Sequence, residues 1–386
     1  MKNNLIINIR NLIFVLFAIS FPLSVALSNI FIVILSVLVL SEGSFRNKIK
    51  KIKESKWMNY LIFLIISYFI FTIPFGLKTD TFWILKRVSL LLVLPLLYST
   101  EFSNKIIKIS IFGFLLSMFI SSIIAIAYNY EILQNPKNFT WSAFLQYTEH
   151  NVFLAFALII SIYTIIRTKI NRNFNMIICL FISVFIFSIF TEGGKSGQIV
   201  FIFSIIILAF LYFRKKLKML FVSISSILLF SFIIYNTSDI VKNRFDFEIK
   251  NIKKGTDSSR NILLSETIKL IKVKPILGYG TGSFTDEFAI VNENTKRVIN
   301  QNHKTPHNNY LYVYFELGLI GFALLLLVFY HQIKELYIKT DGKFLIIFPF
   351  MFLVIMFTDS YLYQHNTLML YLFMSIIVSN YQYKPS

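Results

Sequence analysis

The chain alternates between long apolar runs and short polar strings along most of its length. Because the hydrocarbon core of a bilayer takes roughly 20 apolar residues in a helix, each run predicts a membrane-spanning helix. The first two runs are short and predict a tight hairpin or tilted helices. The pattern predicts about twelve spans, at residues 11–24, 27–41, 57–77, 81–98, 106–128, 149–166, 175–190, 197–213, 219–235, 309–330, 344–358 and 363–379.

One polar stretch, residues 236–308, interrupts this rhythm between the ninth and tenth spans. A connection of this length is usually functional or a small domain of its own. Within it, "SSRNILLSETIKLIKVKP" (258–275) predicts a helix, because its apolar residues recur every three or four positions and Pro275 ends the pattern. "GYGTGSF" (278–284) lacks the strand and helix that a dinucleotide loop requires. It predicts either a flexible connector or backbone N–H groups that line a pocket.

Composition and charge place these elements relative to a membrane. The chain is 56% hydrophobic with a net charge of +19, and short cationic strings occur at 41–57, 167–172 and 214–218. Cationic short loops mark the cytoplasmic side, so both termini are predicted to be cytoplasmic and the polar stretch to lie outside. The charge is therefore assigned to topology, and nucleic-acid binding is not expected. Three regions follow: spans one to nine (1–235), the large loop, and spans ten to twelve with a short tail (309–386).

Several kinds of chemistry have no support in the sequence. Cys179 is the single cysteine and lies in an apolar run, so neither an intramolecular disulfide nor a cysteine metal site is expected. No spacing typical of zinc ligands, phosphate-binding loops or serine elbows is present. The sequence therefore predicts no metal, no cofactor and no nucleotide-driven chemistry.

The stretch "HKTPHNNYLYVYFELGLIGF" (303–322) places polar residues directly before span ten. Pro306 disfavours helical geometry in the preceding residue, so His307 is predicted to lie in a loop at the mouth of the span. Asn308 and Asn309 are predicted to cap the span, and His303 is close enough to share or replace the role of His307. Aromatic residues of this stretch are expected at the membrane interface: Tyr310, Tyr312, Tyr314 and Phe315.

Three cations and a second histidine are further candidates. Lys195 lies in "TEGGKSG" beside two glycines, where an anion-binding role competes with that of an interfacial anchor. Arg260 stands at the start of the predicted loop helix, where a helix N-terminus and a guanidinium together favour phosphate. Arg87 lies inside span four, as a structural cation or as a ligand for an anion. His150 precedes span six, either packed in the core or supporting the site.

The residues just quoted resemble the signature region of the bacterial O-antigen ligases and the related O-antigen polymerases. The resemblance extends to about twelve spans with one large periplasmic loop between the ninth and tenth. It implies an all-α, polytopic membrane glycosyltransferase of the GT-C type in the bacterial inner membrane. "TEGGKSGQIVF" resembles a family turn that ordinarily carries Arg where this chain has Lys195. A lysine keeps the charge but loses the planar fork.

The resemblance also implies an activity. A ligase transfers a glycan en bloc from undecaprenyl diphosphate to a sugar hydroxyl of lipid A–core, without metal and with inversion. The family pattern maps a catalytic role onto His307 and Arg260, and diphosphate contact onto Arg260 and Lys195; Arg87 is a further candidate for that contact. Two readings remain within the superfamily: a polymerase that joins lipid-linked repeat units, and a transferase that glycosylates protein or another polysaccharide. A polysaccharide transporter is the alternative from another class.

Overall fold

The computed structural model describes residues 2–135, 141–167, 171–213, 259–295, 303–339 and 344–381, together with isolated positions between 214 and 258. The first part contains α1 (Lys2–Ser20), α2 (Val25–Ser41), α3 (Phe45–Glu54), α4 (Lys56–Ile70), α5 (Thr72–Phe75), α6 (Thr81–Leu90), α7 (Val93–Tyr98) and α8 (Asn104–Asn129). A short antiparallel hairpin follows, with β1 (Trp141–Ser142) paired to β2 (Leu145–Gln146).

The remaining described elements are also helical. They are α9 (Tyr147–Arg167), α10 (Arg172–Thr191), α11 (Lys195–Phe213), α12 (Ser259–Val273), α13 (Phe284–Thr295), α14 (Asn309–Lys339), α15 (Ile347–Thr358), the 3₁₀ helix Tyr361–Tyr363 and α16 (His365–Asn380). The protein is thus a helical bundle.

Two helices form the centre of the bundle. In α16 every residue from His365 to Val378 is buried, and in α9 residues 152–160 are buried. A helix that is apolar on all sides belongs inside a core. The outer helices expose apolar side chains such as Ile123, Leu180 and Phe210. In a bilayer, lipid tails cover that surface at no hydrophobic cost.

The described helices support a multi-pass membrane protein. Seven of the described segments are long and apolar enough to cross a membrane, or eight if the bent pair α2–α3 is one span. Two other predicted spans correspond to shorter apolar helices, Asn4–Ser20 and Ile347–Thr358. The predicted span 219–235 and most of 236–258 lie outside the described residues. The count of twelve spans and the large periplasmic loop stay predictions.

One sequence prediction needs correction, and the structure adds a packing detail to a second. Residues 41–57 were expected to form a loop, but they contain α3 and the start of α4. Phe45, Ile49 and Ile52 recur every three or four positions, which is typical of a helix. The many lysines of this segment made it look like a loop. Tyr312 and Phe315, which were expected at the membrane interface, are both fully buried against Phe284. The cause is α13, a helix that the sequence did not predict.

The glycine-rich turn after α12 is packed against α14. The backbone N–H groups of Tyr279 and Gly280 donate to the carbonyls of Phe315 and Glu316, both at 2.9 Å. Gly278 has a φ of +68°, and a Cβ there would lie 2.5 Å from the Phe315 oxygen. The turn is therefore a fixed element, and these two N–H groups are used within the fold. The predicted helix 258–275 is confirmed as α12, which this turn holds against α14.

Candidate functional site

His307 lies in a short non-helical segment, residues 303–308, directly before α14. The loop predicted for "HKTPH" is therefore confirmed. The φ of His307 is +54°, in the left-handed region that a residue with a side chain rarely adopts. Such a backbone persists only where the surroundings impose it, and it is frequent at functional sites.

The His307 ring is paired with a carboxylate. Its Nδ1 lies 3.0 Å from Oδ1 of Asp359, which follows the last residue of α15. The two side chains are 36% and 16% exposed. A carboxylate at Nδ1 holds the proton on that nitrogen, so Nε2 presents its lone pair. The pair therefore has the form of an oriented and accessible general base.

Arg260 connects the two segments that carry this pair. Its Nη2 donates to the His307 carbonyl oxygen at 3.2 Å and also to the Thr358 carbonyl. Because Thr358 precedes Asp359, one guanidinium holds both residues of the pair in register. The side chain itself is exposed, so the cation lies at the surface of the site.

The first residues of α14 attach the histidine segment to the end of α15. Oδ1 of Asn308 accepts the Leu311 N–H at 3.0 Å, which confirms the predicted cap. Oδ1 of Asn309 accepts the N–H of Leu362 at 3.1 Å, within the 3₁₀ helix. The Tyr310 hydroxyl donates to the Leu353 carbonyl at 2.7 Å. Three consecutive side chains thus fix His307 relative to Asp359.

His303 lies beside His307, with the two rings 5.4 Å apart and nearly perpendicular. Burial, and then the charge of His307, lower the pKa of the His303 ring below its usual value. A lower pKa makes His303 a weaker proton acceptor than an unperturbed histidine. Lys304, the residue after His303, forms an ion pair with Asp80, with Nζ 3.2 Å from Oδ1. This ion pair connects the segment to the start of α6.

Lys195 begins α11, which packs unusually closely on α9. A Cβ on Gly197 would lie 2.1 Å from the Asn151 carbonyl oxygen, and one on Gly194 would lie 2.6 Å from the Asn151 Cβ. Only glycine permits this approach. The Asn151 amide completes the contact by donating to the Gly194 carbonyl at 2.8 Å. The glycines of "TEGGKSG" therefore set the position of Lys195, whose side chain is exposed.

A second histidine–carboxylate pair lies beneath this turn. His150 is fully buried, with Nδ1 2.8 Å from Glu192 Oε2 and Nε2 3.0 Å from the Ser121 hydroxyl. Glu192 also accepts hydrogen bonds from Ser142 and Ser188. Burial opposes the charge on Glu192, but His150 and these hydroxyl donors together lower the pKa of its carboxyl. Of the two sequence-based readings of His150, the packed one agrees with this geometry.

Arg87 belongs to another polar cluster, between α6, α9 and the start of α16. Its charge acts on Glu149 and on His365. Glu149 is buried and accepts a hydrogen bond from the Asn366 amide at 2.8 Å. Arg87 is half-buried and has a carboxylate in its environment. The structure therefore brings Arg260 together with His307, and places Arg87 within electrostatic range of the buried Glu149, where its contact with a diphosphate stays a prediction.

Tyr361 links these groups. It is buried in the 3₁₀ helix beside Ser196, and it interacts electrostatically with Asp359, Glu149 and Arg260. Burial, followed by the Asp359 carboxylate, raises the pKa of the Tyr361 hydroxyl well above its usual value, so it stays protonated. Ser196 directly follows Lys195. Tyr361 therefore connects the turn at the start of α11 with the Asp359 side of the site.

Sequence reasoning missed Asp359, although a signal was available. Asp359 is the single acidic residue between positions 342 and 386, and it stands at the end of an apolar run. An ionisable residue in that position is a functional candidate by default. Its pairing with His307 depends on how α14 and α15 pack, which the spacing along the chain does not specify. Among the described residues, no group of three or more His, Cys, Asp or Glu side chains is arranged to hold a metal.

The bundle and this site define a multi-pass helical membrane protein with a histidine–carboxylate pair and an arginine at one end. Residues 180–326 match the family model of the O-antigen ligases (Wzy_C). That part of the chain is therefore similar to the O-antigen ligases. The matched range contains Lys195, Arg260 and His307. A comparison with curated proteins finds no match.

Proposed function

We propose that this protein is an O-antigen ligase. It would take a glycan from undecaprenyl diphosphate and join it en bloc to a sugar hydroxyl of lipid A–core. The observation that carries the proposal is the grouping of His307, Asp359 and Arg260, which supplies an accessible base beside a fixed cation. Three of the proposed site residues, Lys195, Arg260 and His307, fall within the region of the family match.

In the proposed reaction, Nε2 of His307 takes the proton of the acceptor hydroxyl while that oxygen attacks the anomeric carbon of the donor glycan. The bond from this carbon to the diphosphate oxygen breaks, and its electron pair leaves with the undecaprenyl diphosphate. Attack opposite the leaving group inverts the anomeric centre. Asp359 keeps the ring oriented and stabilises the imidazolium, as in other carboxylate–histidine pairs.

The cations balance the charge that develops on the leaving diphosphate. Fixed cations aimed at a developing anion are often the largest catalytic contribution. Arg260 is assigned this role in addition to its hold on the His307 and Thr358 carbonyls. Lys195 contributes a second charge from the start of α11, without the bidentate geometry of an arginine. Arg87, whose charge acts on the buried Glu149, is a further candidate for contact with the diphosphate.

The proposal requires the site to lie on the periplasmic side of the inner membrane. In a Cys179→Ser background, Thr305→Cys is placed in the His307 segment and Asn47→Cys in α3, near the opposite end of the bundle. A membrane-impermeant maleimide on spheroplasts should label position 305 and leave position 47 unlabelled until the cells are lysed. The reverse pattern would put His307 in the cytoplasm and end the ligase proposal.

The activity test uses purified protein with undecaprenyl-diphosphate-linked glycan and a chelator, and offers two acceptors in separate reactions. A ligase transfers the whole glycan to lipid A–core. Elongation of the lipid-linked glycan, with lipid A–core unused, would identify a polymerase. If neither product forms, and reconstituted vesicles instead move the lipid-linked glycan across the bilayer, the protein is a transporter and the proposed chemistry is wrong.

A further inference from the structure

Helix α3 runs across the end of the bundle. The axes of α2 and α3 meet at 109°, and the chain turns at Gly43, whose φ is +64°. The ten residues of α3 give a length of roughly 15 Å, about half of a bilayer core. Ser55, which follows α3, donates to Glu335 near the last turns of α14. Because His307 precedes the first turn of α14, α3 lies at the opposite end of the bundle from the candidate site.

Two lysines anchor the inner face of α3. Lys48 is buried and donates to the carbonyls of Val39 and Leu40, the last turn of α2. Lys51 donates to the Thr100 carbonyl at 3.4 Å, just past the end of α7. Cations at helix C-termini satisfy unpaired carbonyls and the negative end of the helix dipole. The angle of α3 is therefore fixed by the fold.

The outer face of α3 changes from apolar to cationic around the helix axis. Successive residues are turned by about 100° around the helix axis. Beside the inner face of α3 lie Phe45 and Ile49, and further around the axis come Lys53, Arg46 and Lys50. Phe45 is 62% exposed and Ile49 is 37% exposed. The three cations are exposed, and the face also carries Glu54, whose carboxylate lies 4.0 Å from the Lys50 ammonium.

We propose that the outer face of α3 binds anionic phospholipids in the leaflet opposite the candidate site. Phe45 and Ile49 would enter the upper acyl region, and Arg46, Lys50 and Lys53 would contact the headgroup phosphates. A helix that lies across a span, with exposed apolar residues beside a cationic stripe, has the arrangement of an interfacial helix. The occupant follows from this charge pattern and from the position at the membrane end of α2. The inference is independent of the proposed transfer reaction.

The test is a lipid titration of the full-length protein in neutral detergent, with native mass spectrometry to count bound lipids. Phosphatidylglycerol is the anionic probe and phosphatidylcholine the zwitterionic one. R46Q/K50Q/K53Q should weaken phosphatidylglycerol binding about tenfold or more, because each cation near an anionic surface contributes several-fold. Its phosphatidylcholine binding should stay at the wild-type level. R46K/K50R/K53R keeps the charges and should bind like the wild type.

Two further variants separate this site from general charge effects. K269Q/K272Q/K274Q removes two exposed lysines from α12 and one directly after it, and should leave phosphatidylglycerol affinity within about twofold of the wild type. F45S/I49S should weaken the binding of both lipids, and the protein should still prefer phosphatidylglycerol over phosphatidylcholine. The proposal is overturned if R46Q/K50Q/K53Q binds phosphatidylglycerol normally, or if the α12 variant loses as much affinity.

Discussion

The described residues form two histidine–carboxylate pairs with nearly the same local geometry and opposite surroundings. His307 and Asp359 meet at 3.0 Å, and His150 and Glu192 meet at 2.8 Å. The first pair is partly exposed at the surface of the bundle. The second is 0% and 2% exposed, below the α11 turn. The distance between ring and carboxylate therefore does not distinguish a reactive pair from a structural one.

The remaining contacts of each pair make the distinction. Both nitrogens of the His150 ring are used, one by Glu192 and one by Ser121, and serine hydroxyls occupy both Glu192 oxygens. Among the described residues, Asp359 is the one hydrogen-bonding partner of the His307 ring. A saturated, buried network stabilises a fold, whereas an exposed ring with an available nitrogen can exchange a proton with a substrate.

The largest effect is expected at Arg260, which supports the exposed pair and supplies a cation. Arg260→Ala should lower the transfer rate by roughly 10³-fold, since it removes charge stabilisation of the leaving group and the hold on two carbonyls. Arg260→Lys should restore part of the rate. The matched control is Lys269→Ala, an exposed cation on the same helix, which should retain most activity. An Arg260→Ala protein with near-normal turnover would remove Arg260 from the chemistry.

Asp359→Asn should have the next largest effect. The amide still reaches Nδ1, but it no longer selects the tautomer or stabilises the imidazolium, so the transfer rate should fall roughly 10²-fold or more. Donor binding, measured with lipid-linked glycan alone, should be unchanged. If donor binding falls in parallel with the rate, Asp359 acts on the diphosphate pocket and the oriented-base account is incorrect.

Lys195 should contribute less. Lys195→Ala should lower the transfer rate roughly tenfold, because one flexible point charge is lost from the anion site. Lys195→Arg should be tolerated, since it keeps the charge and adds the fork of the residue that the family ordinarily carries there. Unchanged activity in Lys195→Ala would make this residue an anchor at the membrane surface.

The smallest effect concerns the buried pair and stability at low pH. The pKa of Glu192 is lowered in the folded state, so its contribution is complete above the unfolded pKa of about 4.3 and is lost as pH falls through the folded value. Glu192→Gln should therefore lower the melting temperature in detergent near pH 7, with roughly 1–3 kcal/mol lost.

The difference between Glu192→Gln and the wild type should shrink below pH 4. Glu101→Gln changes an exposed carboxylate and serves as the control, with a melting temperature close to that of the wild type at every pH. A Glu192→Gln protein as stable as the wild type at pH 7 would mean that this network does not stabilise the fold.

The helices were predictable where the local sequence alone determines their position. Apolar runs located the described spans, and Pro275 together with the spacing in 258–273 located α12. The short helices were harder. In α3, lysines at Lys48 and Lys51 look like solvated charges, but they cap the ends of neighbouring helices. Nothing in the local sequence identifies those partners, because they depend on how the bundle assembles.

The candidate site was predictable in part for the same reason. His307, Asn308 and Arg260 stand out in the sequence, at a helix start or after a proline. Asp359 and Tyr361 acquire their positions from the contact of α15 and the 3₁₀ helix with α14. Arg87 was predicted as a diphosphate contact because it is a cation inside a span, and that role stays a prediction. Its carboxylate neighbour Glu149 lies on a different helix, and only the packing brings the two together.

The central claim is that His307 performs chemistry and His150 supports structure. The most direct measurement compares His307→Ala and His150→Ala for transfer rate and melting temperature, with His303→Ala as the control for a nearby histidine. His307→Ala should lose roughly 10²–10⁴-fold in rate with little change in melting temperature. His150→Ala should lose several degrees of melting temperature, and its folded fraction should still transfer glycan. A His307→Ala protein that keeps near-normal turnover, or a fully stable His150→Ala protein, would contradict the account.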